Sequence, residues 1–351
     1  MTSVAELYVH VVGVDTHAKT HTFTIVQAAT AQVTLTEVFP ASDAGLRRSI
    51  DWVVRHSDPA RLLVIEGIGS YGAMLAATAQ HSGIEVAEAG VIGKADKRGR
   101  GKSDELDAIR IARSVLGADI AKLRRPRFDE GIRDALRVSM NSREAQNKER
   151  TTAINQLTAL LRTTPLGVDA RRSLTAAQIK TIAAWRKRDE ALYLEVARAE
   201  AVRLATRIRE LDASLKANKA QLAQLIGSTD YAVLLAEPGC GPISAAQIII
   251  AWGNTDRIGS QASFAGLAGV QPIPASSGNT DQMRLNRGGD RQLNRALHTI
   301  TNWRMSHDPH TIAYLHRRTA QGKTRRAIRR ILKRYLARHI YRLLTQHPAQ
   351  P

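Results

Sequence analysis

Residues 8–14, Tyr-Val-His-Val-Val-Gly-Val, are β-branched and mostly apolar, the pattern of a buried strand. Asp15 stands at its end, and Thr16 to Thr20 make a polar turn. Thr22 to Gln27 and Gln32 to Phe39 read as two further strands, so the first three form an antiparallel meander. Helical periodicity then covers about 43–56. Arg61 to Gly67 is a short buried strand closing in an acid, Glu66, and a glycine. A helix over 71–82, a strand over 84–88 and a helix over 103–116 follow. In the last, Leu106, Ile109 and Ala112 repeat at helical spacing. Ser103 is placed to cap it, because its hydroxyl accepts from a free first-turn N–H.

Three strands, then helix, strand, helix, strand, helix is the order of a ribonuclease H-like α/β fold. Asp104 and Asp107 are three apart and share one helix face. Carboxylates side by side repel unless a cation lies between them, and a hard divalent ion takes oxygen ligands. The plainer reading is two first-turn acids that favour the helix dipole. In such a sheet the ends of neighbouring strands lie close, so Asp15 and Glu66 can reach the face that carries Asp104 and Asp107. Taken singly, Asp15 is a turn residue and Glu66 a solvated strand end. Together the four acids point to one or two Mg²⁺ ions acting on a phosphate.

Between Gly90 and Lys102 the chain is glycine-rich and basic without apolar periodicity. It reads as a loop beside the acids, with Lys94, Lys97, Arg98, Arg100 and Lys102 facing phosphates or merely solvent. An arginine-rich helix spans about 128–161, and a longer one about 183–226. In the second, Leu194, Ala197, Ala201, Leu204, Ile208, Leu211, Leu215, Asn218, Leu222 and Leu225 alternate steps of three and four. That is a heptad seam with one polar position, Asn218. It suits an intermolecular coiled coil or a helical hairpin within the chain equally.

From Gly227 the character changes. Pro238-Gly239-Cys240-Gly241-Pro242 opens a helix, as in a helix-hairpin-helix element. The glycines let backbone N–H groups approach a phosphate. A plain corner between helices is the alternative. Proline and glycine exclude regular structure through most of 264–279, where Ser276 and Ser277 precede Gly278. Arg284, Arg287 and Arg291 follow, then a helix over 292–305. A serine in a Gly-flanked loop near guanidinium groups suits a nucleophile, though Ser-Ser-Gly alone is only a turn. The tail, about 317–342, is a basic helix. Its apolar stripe is Ile328, Leu332, Leu336, Ile340 and Leu343, and its charges include Arg325, Arg326, Arg329 and Arg330. Docking on the protein with nucleic acid on the other face fits better than lying on a membrane.

Charge sharpens this picture. Lys and Arg number 51 against 32 Asp and Glu, a net charge of +19 over 351 residues, which asks for a polyanionic partner. The single cysteine, Cys240, excludes a disulfide framework and a Cys-rich zinc site. Aromatics at 4% make base stacking an unlikely principal binding mode. No apolar run spans a bilayer and the start lacks a signal-peptide pattern, so the expected location is cytoplasmic, associated with the nucleoid.

Val14-Asp15-Thr16-His17-Ala18-Lys19, Ile65-Glu66-Gly67 and Lys102-Ser103-Asp104-x-x-Asp107-Ala108 resemble the DEDD transposases of the IS-one-ten insertion-sequence family. The group also holds the Piv-type DNA invertases. Pro238-Gly-x-Gly, Gly266-Leu-Ala-Gly-Val-x-Pro-Ile-Pro-Ala-Ser-Ser-Gly and Leu285-Asn-Arg-Gly-Gly-Asp-Arg-Gln-Leu resemble that family's C-terminal domain. Asn279 and Asn294 stand where such proteins often carry lysine and arginine, so two phosphate contacts are missing.

The resemblance implies a RuvC-like DEDD catalytic domain over 1–125, a helical coiled-coil region over 126–226 and a mainly α C-terminal transposase domain over 227–351. It implies Asp15, Glu66, Asp104 and Asp107 as Mg²⁺ ligands. Ser277 would be the nucleophile, with Ser276 second, forming a 5′-phosphoserine link to DNA. Read from the residues themselves, the nucleic-acid contacts are the basic loop, Gly239, Gly241, Arg284, Arg287, Arg291, Arg325, Arg326, Arg329 and Arg330. Implied partners are donor and target DNA, a structured non-coding bridge RNA, and copies of the chain as dimers pairing into a tetramer. The rival on the same fold is a Holliday-junction resolvase or nuclease that uses water. It would need the acids but not the serine. A sugar-kinase-like enzyme would want a glycine-rich turn after Asp15, which is absent.

Overall fold

β1 (His10–Thr16) is apolar on both sides because both of its faces are covered. In the computed structural model, which describes residues 2–90, 103–126, 131–253, 258–275 and 283–346, the chain forms two compact units, Met1–Phe128 and Asp129–Pro351.

The first unit holds β1, β2 (Thr20–Gln27), β3 (Val33–Pro40), β4 (Arg61–Ile65) and β5 (Glu85–Glu88) in the order β3-β2-β1-β4-β5. The β1–β2 and β2–β3 pairs are antiparallel, and β1–β4 and β4–β5 are parallel. This is the mixed α/β sheet that the strand order predicts. Side chains alternate across it. Val12, Val14, Leu63 and Ile65 face α2 (Asp43–His56) and α3 (Ala73–His81). Val11, Leu62 and Val64 face the single turn α1 (Val4–Leu7) and α4 (Asp104–Arg113). Gly13 belongs to this second face, and a Cβ there would overlap the backbone of Ala108 and Ala112. Its bare backbone is what lets α4 lie down on β1.

The second unit is mostly helical. α5 (Ile132–Thr163) and α7 (Leu192–Gly227) pack along one another, with α6 (Ala176–Ala183) beside α7. The heptad seam is therefore occupied within the chain. Asn218 donates to Ser139 O at 3.1 Å and Oγ at 2.8 Å on α5, and Arg143 donates to Leu215 O at 2.8 Å. The helix predicted from 183 starts instead at Leu192. Charges at 187–190 do not forbid a helix, but Arg198 on α7 pairs with Glu190 and lies 5.1 Å over the Trp185 ring. Those contacts fold 184–191 back on α7.

A 3₁₀ turn (Asp230–Ala236) leads to α8 (Pro242–Trp252), whose Ala245, Ala246, Ile248 and Ile249 lie in the core of α9 (Gln261–Leu267), α10 (Arg291–His307) and α12 (Arg325–Gln346). The stretch taken as irregular contains the end of α9 and the strand β6 (Pro272–Pro274), which pairs antiparallel with β7 (Met283–Leu285). The basic tail is two helices. α11 (Pro309–Ala320) ends before Gly322, whose φ of 80° suits glycine, and α12 begins three residues later. Ile328, Leu336 and Ile340 are buried, so the apolar stripe of α12 docks on the protein as predicted. No described helix is long and apolar enough to cross a membrane.

Candidate functional site

Strand alternation aims Asp15. Val11, Gly13 and Asp15 share the face under α4. On α4, Asp104, Ala108 and Ala112 follow at intervals of four, so Asp104 stands one turn before the residues seated on Gly13. Ser103 caps the helix by accepting from Leu106 N at 3.3 Å, as its position predicts. The acid at the end of β1 and the acid at the start of α4 thus meet. Between them lies His17, with Nε2 3.1 Å from Asp15 Oδ2 and 3.4 Å from Asp104 Oδ1. One ligand atom from each of the three lies within 4.8 Å of the others.

Asp15 is 7% exposed. Burial pushes its carboxyl above the ordinary carboxylate value. His17 opposes this, while the like charges of Asp104 and Asp107 add to it. Two oxygens and an imidazole nitrogen with a buried carboxylate among them are a donor set that fits a divalent cation.

The other two acids are placed differently. Asp107 is bound by Arg110, Nη1 to Oδ1 at 2.7 Å. Glu66 follows β4 beside Asp15. Its backbone is tied there, with Glu66 N donating to Val14 O and Thr16 Oγ1 donating to Glu66 O. Its side chain is exposed and stands outside the three-residue group. His17 is a residue that attention to acids alone passes over. The signal was present: Asp15 and His17 are two apart at a strand end, which puts them on one side.

The second unit carries a cavity of about 1190 Å³ between β6–β7, α10 and α12. Arg284, Arg287, Arg291, Arg326, Arg329 and Arg330 of the predicted contacts line it. So do Arg295 and His298, which the sequence analysis did not name, and Lys333 and Arg334 of the basic tail helix. Their spacing marks them: 291, 295 and 298 share one face of α10, and 326, 330, 333 and 334 one face of α12. Lys333 is buried and donates to Asn294 Oδ1 at 2.6 Å, and Asn294 Nδ2 donates to Ala268 O at 2.6 Å. Asn294 therefore supports a cation rather than only removing one. Burial, then Arg329, holds the Lys333 ammonium below the ordinary lysine value. Burial, then Lys333 and Arg329, lowers His298. Among the described residues, Glu144 is the one acid in the lining. So much uncompensated charge suits an anion.

The Asn286-Arg287-Gly288-Gly289-Asp290 run shapes this wall. Asp290 Oδ1 caps α10 by accepting from Gln292 N and Leu293 N, and a Cβ on Gly289 would overlap Gly269. Arg325 is exposed and lies outside the cavity lining.

At the Pro-Gly-x-Gly turn, Gly239 has a φ of 79° and lies against the Trp303 ring, leaving no room for a Cβ. Gly241 precedes α8 as its N-cap. Glu237 beside the turn is held by Arg304 at 2.7 Å and His339 at 2.9 Å. Cys240 is buried and its thiol is pushed up to about 12, by burial first and Glu237 next, so it stays protonated. Ser276, Ser277 and Asn279 lie outside the described residues, as do Lys94, Lys97, Arg98, Arg100 and Lys102.

Comparison with known proteins bears on both units. Residues 12–165 match the DEDD transposase model of IS110 elements, described as Transposase. Residues 231–316 match the model described as Transposase IS116/IS110/IS902 family. The chain is also similar to the "Insertion element IS110 uncharacterized 43.6 kDa protein" of Streptomyces coelicolor, 32% identical over 123 residues. That match covers 34% of this chain and 30% of the other protein's length.

Proposed function

The chain belongs to the IS110-type family of insertion-element transposases, and from that premise we propose that it is a recombinase that cuts and rejoins DNA strands at a Mg²⁺ site built on Asp15 and Asp104. The observation that carries the reading is the meeting of Asp15, His17 and Asp104 at the junction of β1 and α4. Glu66 and Asp107 complete the proposed carboxylate set, Asp107 after release from Arg110. A Mg²⁺ ion held by Asp15 and Asp104 would supply polarisation of a phosphate oxygen and a lowered pKa for the attacking group.

Ser277 is the proposed nucleophile and Ser276 the second choice. The serine hydroxyl loses its proton as Oγ bonds to phosphorus. The bond from phosphorus to the 3′ oxygen breaks, and that oxygen takes up a proton. A 3′ hydroxyl from another strand then reverses the step and frees the serine. The link keeps the phosphoester energy for rejoining.

The cationic cavity of the second unit would hold the DNA backbone through Arg284, Arg287, Arg291, Arg326, Arg329 and Arg330, with Arg325 and the basic loop of 94–102 adding contacts. The Gly239–Gly241 turn is proposed as a helix-hairpin-helix-like contact of backbone N–H groups with a phosphate. Further partners in this reading are a structured bridge RNA and other copies of the chain, in the cytoplasm with the nucleoid.

The test is to incubate the full chain with DNA of its element's ends and Mg²⁺, then denature. A covalent protein–DNA adduct is expected. It is lost in Ser277→Ala, and Asp104→Ala loses cleavage while keeping DNA binding. Cleavage without any adduct would favour the resolvase chemistry with water as nucleophile.

A further inference from the structure

We propose that His17 is a nitrogen ligand of the divalent ion at the Asp15–Asp104 site, so that the site binds transition ions such as Mn²⁺ more tightly than the Mg²⁺ of the proposed reaction. The inference rests on the reading of that site as a metal site.

Distances carry the first part. Neighbouring ligands around an octahedral ion with bonds of about 2.1 Å stand about 3.0 Å apart. His17 Nε2 is 3.1 Å from one Asp15 oxygen and 3.4 Å from one Asp104 oxygen. That is the size of the gap between neighbouring donors on a single ion. The backbone already fixes all three donors. His17 N donates to Thr20 O at 3.0 Å and closes the β1–β2 turn. Asp15 is in register with Thr22. Asp104 opens the helix that Ser103 caps.

The other acids carry the second part. Asp107 is held by Arg110 and the Glu66 side chain is exposed outside the group. Among the described residues, the group that gathers within 4.8 Å offers two carboxylate oxygens, from Asp15 and Asp104, and one imidazole nitrogen. Mg²⁺ holds waters and oxygens and gains little from imidazole. First-row transition ions gain from it, in a series that rises from Mn²⁺. His17 is half-exposed in a turn, so its replacement leaves no core cavity. His21, by contrast, is buried, with its ring nitrogen Nδ1 3.1 Å from Thr20 O.

The experiment titrates the full chain with Mn²⁺ and with Mg²⁺ and records pulsed electron paramagnetic resonance of the Mn²⁺-bound protein. Nitrogen modulation from one imidazole is expected in the wild type and absent in His17→Ala and His17→Gln. Mn²⁺ affinity in His17→Ala falls by at least about tenfold, the lower end of what even an outer-shell partner costs, and Mg²⁺ affinity changes much less. Mn²⁺ binding without nitrogen modulation overturns the inference and leaves the metal site standing. So does modulation that survives in His17→Ala. No binding of either ion overturns the metal site and the inference together.

Discussion

Lys333 donates to Asn294 from a buried position, and among the described residues no carboxylate pairs with it. A buried ammonium with a neutral partner is costly in the free protein and gains when an anion arrives. Lys333→Met keeps the volume and removes the charge. The variant is expected to bind duplex DNA more weakly, and the slope of log affinity against log salt should fall by about one phosphate contact. An unchanged slope would place Lys333 outside the interface.

The same residue sets a pH dependence. Its folded pKa lies below the ordinary lysine value because burial and Arg329 disfavour the charge. Between the folded and unfolded pKa values the unfolded chain binds more protons, so stability rises with pH across that window. Below the folded pKa the penalty is fully present. Urea denaturation at stepped alkaline pH should show the rise in the wild type and a flatter profile in Lys333→Met.

Gly13 gives a packing prediction. Any side chain there meets the backbone of Ala108 and Ala112, which cannot move aside like a flexible side chain. Gly13→Val should destabilise the first unit by about 3 kcal/mol, the upper end of the usual cost of overpacking, because the overlap is with backbone. If the unit survives, lifting α4 moves Asp104 from Asp15, so divalent-ion binding measured by calorimetry should weaken with stability. Undiminished binding would mean that α4 does not position the site.

Much of this was legible because it depends on local chemistry. The alternation Val11-Val12-Gly13-Val14-Asp15 identifies a strand covered on both faces, and Ser103 marks the start of α4. Of the heptad residues of α7, Ala197, Ala201, Leu204 and Ile208 share a core with Ala153, Leu157 and Leu161 of α5, and Leu211, Leu215 and Leu222 are buried too, while Leu194, Asn218 and Leu225 are half-buried. The rest depends on contacts between distant residues. The start of α7 is displaced by Arg198 pairing with Glu190, whose geometry no propensity encodes. Lys333 sits in a run of surface-like charges, and only the packing of α12 buries it. His17 has the right spacing from Asp15, but its meeting with Asp104 needs α4 laid across Gly13. Asp107 resembles Asp104 in sequence, and Arg110 distinguishes them.

That difference is measurable. Asp104 is paired at 3.4 Å with His17, a donor of the same group, whereas Asp107 is paired at 2.7 Å with Arg110, outside it. Asp104→Asn should therefore cost more divalent-ion affinity than Asp107→Asn in the DNA-free protein. Arg110→Ala frees the second carboxylate and should raise that affinity. Isothermal titration of the three variants checks the order. Equal losses at 104 and 107 would mean that Arg110 releases Asp107 at no cost.

Asn218 tests where the heptad seam finds its partner. Its amide nitrogen bonds Ser139 on α5, and Arg143 lies 3.3 Å from its oxygen. A polar residue in a seam fixes register whichever helix it faces. Here that helix is in the same chain, so the seam is closed before any second copy approaches. Asn218→Leu removes both bonds and leaves the Arg143 guanidinium with less support, a loss of about 1–3 kcal/mol by the usual cost of unpaired buried groups. Light scattering should give the same mass for variant and wild type at equal concentration, because the seam is not the surface that joins copies. A variant that changes mass while keeping its unfolding midpoint would place the seam between chains instead.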